Sequence, residues 1–407
     1  MRLFYKKFGL LTIFLVLNII YINAQNSFYS GYGLGSNYPG ATTRMEAMGY
    51  SGSAIYDSLS VASYNPAVWH SFYTVSLQGK LNYSTMNSTK REGDFNSANL
   101  SGFAVKMPLG NYSGMAFGIK PSYRTRSESH LESRVGYFGD SLGYADHVIA
   151  KGGISEFFIG GGYRLTKYIS AGLMAKFLFG KYSTQLKTEI NSKSYYYNKQ
   201  NSVKGQQLGA GLFLNIPQNY SISLYYDQNI NFKYNKRVDH HLGKDDTSNY
   251  KSANYPSHIK FGVGKFISPR FVLTADLNYT TMPDNNADFS FLGKGVNQDS
   301  YLIGAGIESR PSPEEYQPSF FENMFYRAGL YYREDGIKVD EEKQLTEMGI
   351  SLGAGIPFHN NFSRFDIAFI YSLTDGFLNQ DIGKENKISI NISVTSGGLW
   401  FFNALRR

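Results

Sequence analysis

The sequence predicts an all-β protein, a transmembrane antiparallel β-barrel of about fourteen strands preceded by an N-terminal plug. Three observations predict it. Long segments alternate strictly between apolar and polar residues, as a strand with one apolar face must. The connections between them alternate between tight turns and long polar stretches, which matches the two rims of an outer-membrane barrel. Tyr and Phe are abundant, at 33 and 30 residues, while charged residues make up 18% and Cys is absent. That composition suits an outer face in contact with lipid and its interfaces, and an exported chain without Cys relies on its sheet and not on disulfides.

Taken in order, residues 1–24 read as a secretory signal peptide. Arg2, Lys6 and Lys7 form the basic start, Phe8 to Ile22 the apolar run, and Ala24 the small residue before Gln25. Three of the positive charges lie there, so the formal +8 falls to about +5 afterwards. An excess so diffuse does not point to nucleic acid, which needs a clustered basic patch. Residues 25–70 are rich in Gly and Ser and precede the first clear strand, so they are expected to form the plug, with 71–407 as the barrel. The alternation gives strands near 71–85, 98–108, 112–127, 153–165, 168–186, 206–216, 219–235, 257–267, 270–282, 299–309, 323–334, 345–357, 362–374 and 386–400. Several reach the roughly 9 to 11 residues that a tilted strand needs to cross a bilayer. In 271–279, for example, Phe271, Leu273, Ala275, Leu277 and Tyr279 oppose Val272, Thr274, Asp276 and Asn278. Short turns at 109–111, 166–167, 217–218, 268–269 and 359–361 define one rim. Long polar connections at 86–97, 128–152, 187–205, 236–256 and 283–298 define the other, and 310–321 is the long exception on the short-turn side. Trp400 and Phe402 are expected as interfacial aromatics ahead of a short basic tail.

The plug carries a motif. Arg44, Met48-Gly49, Asp57 and then Asn65-Pro66-Ala67 follow one another in that order. Locally, Pro66 fixes its own φ and pushes Asn65 into an extended conformation, so the tripeptide is a rigid turn into the first strand. The whole series resembles the hatch of the FadL/TodX family of outer-membrane transporters of hydrophobic compounds, and PorV-type secretion barrels share a similar opening. Val68 and Glu46 depart from the pattern. The resemblance implies a fourteen-strand barrel in the bacterial outer membrane, in contact with lipid and lipopolysaccharide, that passes hydrophobic small molecules such as long-chain fatty acids. A PorV-like barrel that binds secretion partners is the alternative, and an outer-membrane hydrolase a third reading.

If the apolar faces meet lipid, the opposite faces place Lys80, Lys106, Lys176, Lys260 and Arg327 in the lumen as candidate contacts for a carboxylate headgroup. Lys120, Arg333, Glu156, Asp227, Asp276, Glu308 and Asp366 belong to the same inward set, and ion pairing among them is the structural alternative. Pro121 interrupts the third strand, on the face assigned to lipid. Proline lacks the N–H that a ladder needs, so Gly118, Lys120 and Pro121 form a candidate lateral portal, and the resemblance implies an exit in that strand. No cofactor or metal site is expected. The His residues are scattered, although the His240-His241 pair and the loop acids Asp245-Asp246 and Glu341-Glu342 leave a surface metal open. No enzyme motif stands out, and no activity is expected.

Overall fold

A computed structural model describes residues 27–399 except 32, 62–63, 71–73, 90–94, 138–139, 191–192, 241–245, 283–295, 312–318, 341–342, 360 and 376–382. The expected signal peptide, Trp400 and Phe402 with the basic tail, His241, Asp245 and the Glu341-Glu342 pair lie outside the described residues, and His240 is described only in its backbone.

Fourteen strands make the barrel: β1 Thr74–Ser88, β2 Phe95–Pro108, β3 Ser113–Tyr137, β4 Asp140–Arg164, β5 Ile169–Ile190, β6 Lys193–Ile216, β7 Tyr220–His240, β8 Ser257–Phe266, β9 Phe271–Thr281, β10 Ser300–Ser309, β11 Phe325–Asp340, β12 Lys343–Phe358, β13 Ser363–Asp375 and β14 Glu385–Leu399. Each pairs antiparallel with its neighbours in sequence, and β14 closes on β1 from Glu385↔Ser88 to Leu399↔Thr74. Closure leaves no edge at that seam, which is how a sheet satisfies its backbone polar groups in lipid. The predicted faces are observed: along β9, Phe271, Leu273 and Leu277 point outward while Val272, Thr274 and Asp276 are buried inward.

The structure corrects the sequence reading at the long-loop rim. The stretches 128–152 and 187–205, expected as loops, are mostly strand, because β3 and β4 run 25 residues each and β6 runs 24. Polar and charged residues interrupt these stretches, so no sustained apolar alternation marks them. Their pairing comes from continuing the ladder, with β3 and β4 still in register at Tyr137↔Asp140.

The described residues of 27–70 pack against inward-facing residues of the wall. They contain a 3-10 turn at Phe28–Gly31, a two-residue strand Ser36–Asn37, a single helical turn Thr43–Glu46 and a second 3-10 turn Pro66–Trp69. Met45, Met48, Ile55, Val61, Val68 and Trp69 are buried there, each worth roughly 1.5 to 3 kcal/mol of apolar burial. Trp69 and Met45 sit in one cluster with Ala104, Phe158, Met174 and Tyr225 of the wall.

Candidate functional site

Each hatch motif residue has a wall partner. Asn65 caps the Pro66–Trp69 turn by accepting from the Ala67 N–H at 2.9 Å, and its Nδ2 donates to Ser223 Oγ at 2.7 Å and the Leu212 carbonyl at 3.2 Å. Capping by a short polar side chain satisfies an otherwise orphaned donor. Pro66 lies so close to Gly162 and Gly172 that a Cβ at either would collide with its backbone. Small inward residues there are therefore a packing requirement. Met48 and Gly49 fit against Gly304, Gly306 and Gly329 in the same way, and Gly49 takes a left-handed φ of 64° while donating to Ser351 Oγ at 2.8 Å.

The charged motif residues form one network. Arg44 donates to both oxygens of Glu308, at 2.6 and 2.8 Å. Asp57 accepts from Arg364 Nη2 at 2.6 Å and from Ser60 Oγ at 2.8 Å. Although burial opposes ionisation, the Arg364 and Arg44 guanidinium groups hold the Asp57 carboxyl well below the usual carboxylate range. Arg327 ties the wall side together, reaching Glu308 at 2.8 Å and Asp366 at 2.6 Å. Glu46, one of the departures from the motif, pairs with Lys80 at 2.6 Å. Burial nevertheless pushes its carboxyl upward, against the pull of Lys80.

The wall is discontinuous between β2 and β3. Their ladder holds only from Phe103↔Ile119 to Pro108↔Gly114. Above it β2 remains paired with β1 as far as Phe95, and β3 with β4 as far as Tyr137. The upper parts of β2 and β3 thus face each other with no ladder among the described residues. A bulge between Pro121 and Tyr123 marks where β3 departs, and a second between Lys80 and Leu81 distorts the β1–β2 pair at the same level. Such bulges bend a strand and raise its twist. The hatch enters this gap: Ser36 and Asn37 pair with Arg124 and Tyr123, and the Tyr38 N–H donates to the Ser122 carbonyl at 2.9 Å. Leu34 anchors the segment among Tyr123, Tyr182 and Phe232.

A cavity of about 60 Å³ lies at the gap, lined by Tyr38, Pro39, Glu46, Lys80, Gly102, Phe103, Ile119, Lys120, Pro121 and Phe158. Pro121 is buried there and does not face lipid as expected, because the bulge turns the strand. Lys120 pairs with Glu156 at 2.9 Å. Gly118 sits just below the gap, paired with Ala104, where a Cβ would strike the Phe103 carbonyl. A more polar lumen cavity of about 90 Å³ shares Tyr38, Pro39, Glu46, Lys80 and Ser101 with the first and adds Asn82, Arg333, Asp335, Glu347 and Lys387. The Glu46–Lys80 pair therefore stands between lumen and gap.

Of the candidate ligand contacts, Lys80 lines both cavities, and Lys260, which donates to the Pro39 carbonyl at 2.6 Å, lines a third and smaller one beside His258. Lys176 is engaged by Asp227 at 2.7 Å, Arg327 by its two carboxylates, and Lys106 by the Ser58 and Ser60 carbonyls; none of the three lines these cavities. Sequence reasoning missed Arg364 and the Ser36–Tyr38 segment. No local signal marks either, since their partners lie far away in the chain. Among the described residues no group of three or more His, Asp or Glu is arranged to hold a metal.

The fold matches a Pseudomonas aeruginosa FadL homologue with a TM-score of 0.62 at 12% identity, covering 90% of this chain and 99% of that one. It also matches the CymD monoaromatic hydrocarbon channel at 0.54 and 12% identity, covering 92% and 99%, and the Pseudomonas putida toluene transporter TodX at 0.51 and 12%, covering 88% and 98%. No curated protein matches the chain in sequence. The BamG family model matches residues 4–404, nearly the whole chain, and with a FadL-like fourteen-strand barrel around its lumen the protein belongs to the BamG family.

Proposed function

We propose that this protein is a passive route across the outer membrane for hydrophobic small molecules, long-chain fatty acids among them, with a lateral exit between β2 and β3. The observation that carries the reading is the end of the β2–β3 ladder at Phe103↔Ile119, beyond which β3 takes the two-residue hatch strand Ser36–Asn37 as a partner in place of β2. The cavity of about 60 Å³ is far below the roughly 300 to 1,000 Å³ of an ordinary ligand pocket. Passage therefore requires the Ser36–Thr42 segment to move, with Lys80, Lys120 and Lys260 offering charge to an acidic headgroup. The names of the CymD channel and the TodX transporter, both hydrophobic-compound channels, are in keeping with such a cargo. Proteoliposomes loaded with a reporter for a fluorescent long-chain fatty acid test it. Uptake faster than in protein-free vesicles is expected, and equal rates would overturn the proposal.

A second reading is favoured by the strands themselves. At 21 to 25 residues, β3 to β7 are about twice the span a bilayer requires, so a paired sheet stands out beyond the membrane. A PorV-like barrel that holds a secretion partner on that sheet would use it. Lipid co-purifying with the barrel, identified by mass spectrometry, supports transport, whereas a stoichiometric protein supports the partner reading.

A further inference from the structure

A cavity of about 250 Å³ opens at the short-turn rim, sharing no lining residue with the cavity at the β2–β3 gap, between the hatch residues Arg44, Asp57 and Ser58 and the wall residues Glu308, Arg310 and Arg364. Arg327 and Asp366 stand directly behind it, and Lys106 donates to the Ser58 carbonyl at its edge. The cluster therefore holds five cations, Arg44, Lys106, Arg310, Arg327 and Arg364, against three carboxylates, Asp57, Glu308 and Asp366. All eight are buried or nearly so; Arg310 is the most exposed, at 23%. Uncompensated charge in such surroundings is costly unless something neutralises it. Behind the lining the excess is not compensated within the protein: Arg327 Nη2 is buried with no hydrogen-bond partner, and Lys106, fully buried, has only backbone carbonyls.

We propose that this cavity binds an oxyanion, a carboxylate or phosphate group, on the Arg310 guanidinium, which meets Glu308 through Nε, beside an Arg364 already closed on Asp57 and Asp366. Planar guanidinium forks suit such groups, and the binding is independent of whether the barrel transports anything. The anion is either free in solution or the phosphate headgroup of an acidic lipid. Isothermal titration of inorganic phosphate into the full-length barrel, in nonionic detergent at constant ionic strength, reads the first source. Retention of phosphatidylglycerol through native mass spectrometry reads the second. Saturable binding of either at one per chain is expected, with Arg310→Gln weakening it by about tenfold or more. Asn361→Asp, which places a carboxylate in the cavity lining, should weaken it too and serves where Arg310→Gln does not fold, as judged by heat-modifiable gel migration. Absence of saturation by both ligands, or equal binding by wild type and both folded variants, would overturn the proposal.

Discussion

The two sides of β3 differ sharply. Against β4 it holds 24 residue pairs, from Ser113↔Tyr163 to Tyr137↔Asp140, with one bulge. Against β2 it holds six. The hatch shows the same division. On the β10 to β13 side it is bound by buried ion pairs through Arg44, Asp57, Glu308 and Arg364, while at the gap it is held by two backbone pairs, hydrogen bonds to its own backbone from Tyr182, Lys80 and Lys260, the packing of Leu34 and the Glu46–Lys80 pair. One side of the plug is thus fastened mainly by a network of buried ion pairs, and the other mainly by hydrogen bonds to its backbone. A plug built this way is able to release its gap segment while its base stays docked.

The largest effect expected is from making the weak side strong. Ser36 and Arg124 are register partners, and paired strand positions lie within reach of a disulfide. Oxidised Ser36→Cys with Arg124→Cys should abolish fluorescent fatty-acid uptake, and reductant should restore it. If the oxidised protein transports normally, the gap segment does not need to move. Weakening the strong side comes next. Glu308→Ala leaves Arg44, Arg310 and Arg327 without their shared carboxylate, a loss of about 3 to 5 kcal/mol in hatch docking. Trypsin cleavage at Arg44 in intact vesicles should then become rapid, and continued protection would show that apolar packing alone holds the hatch.

Pro121→Ala is milder, because the bulge at Pro121–Tyr123 is also fixed by the β4 side. It restores one N–H to the wall, so uptake should slow by a few-fold; unchanged uptake in a folded variant would move the exit elsewhere. The smallest effect concerns pH and separates the two ends of the hatch. Glu46, facing Lys80, Lys387 and Arg333, has a folded pKa raised above its ordinary 4.5 by burial. Its ionised form therefore opposes docking above that raised value, and the cost is relieved as pH falls towards 4.5. Asp57 is depressed, so its contribution is present above about 4 and lost only well below that. Between pH 7 and 4.5, thiol labelling at Ala41→Cys should fall while labelling at Ser58→Cys stays level. The reverse pattern would mean that the Lys80 pair outweighs the burial of Glu46.

Much of this was legible in the sequence. Period-two alternation decides which side chains meet lipid, so Phe271, Leu273 and Leu277 were placed outward and Asp276 inward without any structure. Lys80, Lys106, Lys176, Lys260 and Arg327 were likewise set inward, because charge on a lipid face is expensive. What alternation does not carry is partner identity. Arg44 and Glu308 are 264 residues apart, and nothing near either one names the other. It also fails where polar residues break the alternation, which is why 128–152 and 187–205, in β3, β4 and β6, read as loops.

The sequence by itself determined a closed barrel with a buried N-terminal segment, since those follow from local periodicity, from the absence of any other apolar surface for Met45, Met48 and Val61, and from turn spacing. Only the tertiary structure decided that β2 and β3 part company above Phe103 and Ile119, and that Ser36 and Asn37 pair with β3 there. The physical reason is that hydrogen-bond pairing is set by the relative curvature of neighbouring strands. Curvature at this seam depends on bulges at Ser101 and Ser122 meeting the hatch at one level.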